Sequence, residues 1–169
     1  MRALAAAAGV ALVLAFGASG STQRSSAVFS VDRTQAAQVA AIVDFVHAWN
    51  TRQLAKALAL LTPDANFSDC DYRAHKAVVL KGKTQIAAWL RKRFADRDVL
   101  TIGRIWNENP DENRVAGVDY DRRTSTLFPA GTVPELASKV VFAADGRIRA
   151  FANGPGGAPA DQQARLCTP

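Results

Sequence analysis

The sequence predicts an α+β fold: a single domain in which one curved antiparallel sheet is packed against three helices from the N-terminal half and closed by them into a cone. Three observations carry this. Apolar residues recur at helical spacing as far as Phe94. From Asp98 onward the period shortens from 3.6 to 2. The later strands follow one another as a meander, which excludes alternating β-α-β units.

The elements are legible in order. Asp32, with Gln35 three residues on, can cap a helix. Behind it Val39, Ile42, Val43, Val46 and Trp49 form one apolar stripe, flanked by Phe45. Asn50 and Thr51 interrupt that helix, and Thr51 is placed to cap a second. There Leu54, Ala57, Leu58 and Leu61 make the stripe and Pro63 marks the stop. Residues 65–69 (ANFSD) and 77–80 read as short strands. Gly82 precedes a third helix with Ile86, Trp89, Leu90 and Phe94 on one side, and Lys83, Arg91 and Lys92 mostly on the other. Residues 99–107 and 114–124 alternate as strands around the turn-forming run NPDEN at 109–113. Residues 127–134, with Pro129, Gly131 and Pro134, read as a loop. Residues 138–144 and 147–153 form a final hairpin, with Asp145-Gly146 as a two-residue turn.

The first twenty residues have the layout of a secretory signal peptide. Arg2 precedes an apolar block over 3–16, and Ala18 and Gly20 stand at −3 and −1 of a cleavage point before Ser21. The domain expectation is a signal peptide at 1–20, a flexible leader at 21–33, the cone at 34–154 and a C-terminal tail at 155–169. The mature chain is expected to be secreted or held in the cell envelope. No second apolar run approaches the roughly 20 residues of a membrane span.

Lysine and arginine exceed aspartate and glutamate by six, but the basic residues are scattered as on a solvated face. With an export signal present, nucleic acid is not an expected partner. Two cysteines, Cys70 and Cys167, favour pairing in an oxidising compartment. Closing a loop of about a hundred residues contributes about 4–5 kcal/mol in the chain-entropy model and would pin the tail. The alternative is a buried thiol and a free tail thiol. Two dispersed histidines offer no metal-ligand spacing. The GKT run at 82–84 lacks the glycine a phosphate loop needs five positions upstream, where Ala77 stands. No metal or cofactor is expected.

Four segments together resemble the nuclear-transport-factor-2-like superfamily, in its SnoaL-like (polyketide-cyclase-like) and ketosteroid-isomerase-like branches. They are FVHAWN at 45–50, LLTPDANFSD at 60–69, KGKTQIAAWL at 81–90 and VVFAADGRIRAFANG at 140–154. The resemblance implies a cone with a mostly apolar cavity and frequent homodimerisation through the open sheet face. It leaves the chemistry open, because members include isomerases, dehydratases, cyclases, hydrolases and non-catalytic binders.

Candidate chemistry centres on carboxylates near the cavity. Asp69 and Asp71 bracket Cys70, and on a continuous strand they share a face. A carboxylate desolvated in an apolar cone is suited to proton abstraction, with Tyr72 and Tyr120 as hydrogen-bond donors to a developing oxyanion. Asp71 is the candidate base; the bland alternative is a turn-forming aspartate. His47, one turn after Asp44, is a second candidate, and its alternative is a solvated pair. Asn153 cannot act as a base but can donate to a ligand carbonyl. Arg104 and Arg122 reach the cavity in one strand register and solvent in the other, so Arg122 is a conditional ligand contact. Trp49, Trp89, Trp106 and Phe151 are core or cavity wall. The expected function is binding of a small, largely apolar molecule in the cone by Trp49, Tyr72, Tyr120, Arg122 and Asn153; whether acid–base chemistry of the isomerase or dehydratase type accompanies binding is left open, and Asp71 or His47 would be its base. The rival expectation is a non-catalytic secreted interaction protein that uses its exposed sheet face.

Overall fold

A computed structural model of the chain describes residues 33–108, 114–128, 137–153, 165, 167 and 168. The expected signal peptide, nearly all of the expected leader, the 109–113 segment, most of the 127–134 segment and most of the expected tail lie outside the described residues. Asp32, the expected first cap, also lies outside the described residues.

Three helices and a six-stranded sheet follow in the expected order: α1 (Arg33–Asn50), α2 (Leu54–Ala59), β1 (Leu61–Asp71), β2 (Lys76–Lys81), α3 (Gly82–Ala95), β3 (Val99–Asn107), β4 (Val115–Thr124), β5 (Ala137–Phe142) and β6 (Ile148–Ala152). The sheet order is β2-β1-β6-β5-β4-β3. Neighbouring strands are antiparallel except β1 and β6, which run parallel. This parallel pair brings the first strand against the last and makes one sheet of two antiparallel pieces. The curved α+β architecture stands; the sheet is mixed rather than wholly antiparallel.

Local chemistry explains where the elements depart from expectation. Thr51 does not cap α2. Its hydroxyl donates back to the His47 carbonyl at 2.7 Å, closing the end of α1, and the cap position falls to Gln53 without a side-chain bond. Leu61 leaves the helical stripe because the backbone there joins the sheet: Ile148 N donates to Leu60 O at 2.9 Å, and Leu61 pairs with Ile148. Pro63 falls in the irregular stretch between the Leu61 and Asn66 pairings, where its missing N–H breaks no ladder bond. The last hairpin has three loop residues rather than two. Ala143 N donates to Arg147 O and Gly146 N to Ala143 O, with Gly146 at φ +80° in the left-handed position such a loop requires.

The concave side of the sheet and the helices share one core. Ile42, Phe45 and Trp49 of α1, Ile86 and Leu90 of α3, and Phe67, Val118, Val140 and Phe151 of the sheet are all buried. Phe45, Trp49, Phe67 and Phe151 interlock, with ring centroids 4.9–6.4 Å apart. Aromatic contacts at such separations add specific geometry to the area buried.

A second, smaller core joins Tyr72, Leu127 and Phe128 to a disulfide between Cys70 and Cys167. The bridge ties residue 167 to β1. No helix among the described residues is long and apolar enough to cross a membrane.

Candidate functional site

Ionic side chains, rather than a lone carboxylate, occupy the place where β1, α3 and β4 converge. Asp69 of β1 is completely buried. Its Oδ2 accepts from Trp89 Nε1 at 2.9 Å and Arg93 Nε at 2.8 Å. These donors stand four residues apart on α3, so one helix face presents both. Its Oδ1 accepts from the Cys70 amide at 2.9 Å, Arg123 Nη1 at 3.3 Å and Asn153 Nδ2 at 3.3 Å. Arg123 also forms a bidentate pair with Asp98, with Nε to Oδ1 at 2.9 Å. Its guanidinium lies 5.1 Å from the Tyr72 ring centroid, 5.9 Å from that of Phe128 and 6.0 Å from that of Trp49. Arg93 completes the set by donating through Nη2 to the Cys70 carbonyl.

This arrangement sets the protonation of the two carboxylates in opposite directions. Burial pushes Asp69 up, but Arg123 and Arg93 beside it more than offset that and hold its carboxyl below the ordinary value. Burial also pushes Asp98 up, and there the attraction of Arg123 does not fully compensate, so its carboxyl stays above the ordinary value. A carboxylate whose lone pairs are occupied by charged donors is a poor proton acceptor.

The sequence-predicted residues divide between this cluster, the core and the surface. Tyr72 belongs to the cluster: its hydroxyl accepts from Arg123 Nη1 at 3.2 Å, and burial pushes its pKa up. Trp49 donates from Nε1 to the Asp98 carbonyl at 3.2 Å and is otherwise core. Asn153 is fully buried; its amide donates to Asp69, and its Oδ1 accepts from Ser138 Oγ at 2.6 Å. Asp71 ends β1 at the hairpin turn, where Oδ1 accepts the amides of Arg73 at 3.1 Å and Ala74 at 3.2 Å. His47 and Asp44 are both exposed on α1. Arg104 is exposed and pairs with Asp119 at 3.0 Å. The backbone of Arg122 pairs with Thr101, and its side chain lies outside the described residues.

Tyr120 differs from all of these. It packs against the core, and its hydroxyl is buried, yet no partner meets that hydroxyl at hydrogen-bond geometry. Burial pushes its pKa well above the ordinary phenol value, with nearby Ser138 and Arg123 drawing it back in part.

Three members of the cluster, Arg93, Asp98 and Arg123, were not among the residues singled out by pattern. For Arg93 the signal existed, since it follows Trp89 by four residues on the buried face of α3. For Arg123 it did not. β4 carries an extra residue where the pairing passes from Ile102↔Tyr120 to Thr101↔Arg122, so the alternation changes parity at Asp121. Tyr120 and Arg123, even and odd in number, both end on the interior side. Among the described residues, no group of three or more His, Cys, Asp or Glu side chains could hold a metal ion.

No protein-family model and no curated protein matches the sequence. Solved structures do match the fold. A cystatin-like-fold protein from Methylobium petroleophilum has 22% identity and a TM-score of 0.57, over 75% of this chain and 80% of that one. A SnoaL-like protein from Burkholderia thailandensis has 17% identity and a TM-score of 0.54, over 70% and 93%. The fold is NTF2-like. The epoxide hydrolase/cyclase-like enzyme SalBIII, which acts in pyran ring formation in the polyether salinomycin, shares this NTF2-like fold at 13% identity and a TM-score of 0.56, over 68% and 87%. Likeness at these identities establishes architecture, and the chemistry of this NTF2-like chain has to be argued from its own side chains.

Proposed function

We propose that this NTF2-like domain works outside the cytoplasm and binds a small, largely apolar molecule carrying a polar group, held on the concave side of the sheet. The observation that carries the reading is the Tyr120 hydroxyl. A buried phenol that has Ser138 close by but no partner at hydrogen-bond geometry costs up to about 1–3 kcal/mol, a penalty that a guest oxygen or nitrogen would relieve. Ile102, Ile105 and Val118 share its face of the sheet and are the apolar neighbours such a guest would meet. SalBIII, with the same fold, acts in pyran ring formation in the polyether salinomycin, which supports a small-molecule reading here. The Cys70–Cys167 bridge supports an oxidising compartment and hence export.

Binding is placed ahead of proton transfer for a chemical reason. An isomerase- or dehydratase-type reaction needs a base with a free lone pair near its working pH. Asp69 is held ionised with both oxygens occupied, and Asp71 closes a turn through Oδ1. Asp98 is no freer: burial holds its carboxyl above the ordinary value, but both of its oxygens accept from Arg123, so it too lacks the open lone pair a base needs.

A second reading draws on the outer side of the sheet. Val79 of β2 is 54% exposed, and the half-buried Val115, Val141, Ala150 and Ala152 lie between it and Trp106. This face suits a second copy or another protein. Native mass spectrometry of protein purified from its own secreted fraction separates the two. A co-purifying small molecule that is lost from Tyr120→Phe supports the pocket. Ligand-free protein in a stable heteromeric complex overturns it in favour of the sheet face.

A further inference from the structure

On the far side of Arg93 from Asp69, the end of β1 and the C-terminal half of α3 enclose a cleft of about 320 Å³. It is distinct from the Tyr120 hydroxyl and does not rest on the pocket reading above. Trp89 and Leu127 supply its apolar wall, and Arg73, Lys92, Arg93, Asp71 and Asp96 its polar one. The two acids are already engaged. Both oxygens of Asp96 face Arg73, at 2.7 and 3.4 Å, and Asp71 Oδ1 closes the turn that carries Arg73. Arg93 is matched on its inner side, by Asp69 at 2.8 Å and Asp98 at 3.7 Å, and Lys92 is the cation left without a carboxylate among the described residues. Arg93 places Nη1 3.9 Å from Asp96, beyond hydrogen-bond reach, because its Nε and Nη2 are directed at Asp69 and Cys70. The exposed Lys92 holds its ammonium over the Trp89 ring, 5.7 Å from the centroid. Among the described residues no carboxylate pairs with it.

The unpaired Lys92 ammonium over an indole, with a leucine and the outward Nη1 of Arg93 beside it, defines a ligand chemistry. A carboxylate can sit between Lys92 and Arg93 Nη1 while a flat apolar body lies against Trp89 and Leu127. The volume is at the lower end of the range for small-molecule sites, which limits the guest to a compact molecule. Arg93 couples this cleft to the interior, since the same guanidinium that faces the guest also holds Asp69. We propose that the Lys92–Arg93–Trp89 cleft is a binding site for small organic monoanions, a carboxylate joined to an aromatic or similarly flat apolar group.

The test uses 2-naphthoate as probe and the neutral 2-naphthalenemethanol as control, with the full mature chain labelled so that the indole N–H signal of Trp89 is followed in a titration. Saturable binding of the acid with a shift of the Trp89 signal is expected, and the alcohol should bind far more weakly. Lys92→Ala should weaken the acid about fivefold and Lys92→Glu about twentyfold, with thermal melts confirming that both variants fold. Raising ionic strength should weaken the acid and leave the alcohol unchanged. Equal affinity for acid and alcohol, or a Lys92→Glu variant that binds like the parent, overturns the inference. So does the absence of saturable binding. If Tyr120→Phe weakens the probe and the Lys92 variants do not, the guest lies on the concave side of the sheet; the cleft is then wrong while the pocket reading stands.

Discussion

Arg123 donates through Nη1 to Oδ1 of Asp69 at 3.3 Å, a contact between strands β4 and β1 in which neither side chain retains solvent exposure. These strands are not neighbours in the sheet, so the pair spans the interior and joins its two antiparallel pieces. Because Asp98 and Asn153 attach to the same two groups, the position of one charge fixes several side chains.

Replacing Arg123 by Met keeps most of its volume and removes its charge. Asp98 then loses its bidentate partner and Asp69 one of its two guanidiniums. Breaking a buried ion pair from one side costs about 3–5 kcal/mol. Urea unfolding should show a loss of that order, and a loss below about 1 kcal/mol would mean that the cluster is hydrated rather than dry.

The opposite shifts of Asp69 and Asp98 give stability a two-sided pH dependence. Below its unfolded value near pH 4, Asp69 gains a proton more readily in the unfolded chain. Its contribution is therefore present above that value and is lost as pH falls, at up to about 1.4 kcal/mol per unit. Asp98 behaves in reverse: the folded state keeps a proton that the unfolded chain releases, so its contribution is lost as pH rises through the folded value. Asp98→Asn, which cannot ionise, should therefore gain on the parent as pH rises from about 4 to 7. Chemical denaturation across that range checks it, and a constant difference between the two proteins would sink the assignment.

Reduction should loosen more than the tail. Cys70 lies between Asp69 and Asp71, and its bridge to Cys167 packs with Tyr72, Leu127 and Phe128. Opening the loop should cost about 4–5 kcal/mol in the chain-entropy model. A thermal melt with and without reductant measures it, and a Cys167→Ala variant should melt at the reduced value under both conditions.

How much of this was legible in the sequence follows from which forces are local. The change from helical to alternating period placed all nine elements in order, because each buries an apolar face whose spacing is written in the chain. The parallel β1–β6 pair was not legible, since it depends on two strands about eighty positions apart. The site was read in part. Tyr120 and Asn153 follow from strand alternation, and Arg93 from the helical repeat of Trp89. Arg123 is hidden by the bulge at Asp121, which reverses the alternation; the glycine that goes with it, Gly103, sits across the pairing on β3 and so marks no break within β4 itself. Asp71 drew attention as part of the SDCD run, but a strand that ends at residue 71 leaves it in a turn, and Asp69 is the carboxylate turned inward.

The outer face of the sheet offers a further test, because Gly117 and Trp106 are direct partners there. A Cβ on Gly117 would stand 2.1 Å from Trp106 Cζ2 and 2.2 Å from Cε2, so the indole can lie on the strand only while residue 117 has no side chain. The ring also carries the Arg104 guanidinium 4.8 Å from its centroid. Gly117→Ala must lift the ring and lose both contacts, at a cost of about 1–3 kcal/mol. In a Trp106→Ala background the obstacle is gone. Alanine should then be neutral or better than glycine, which is weak in strand interiors. The two substitutions should therefore be strongly non-additive in a double-mutant cycle, and the Trp106 fluorescence should shift toward that of a solvated indole in Gly117→Ala alone. Additive effects would mean that the ring does not rest on Gly117 in solution.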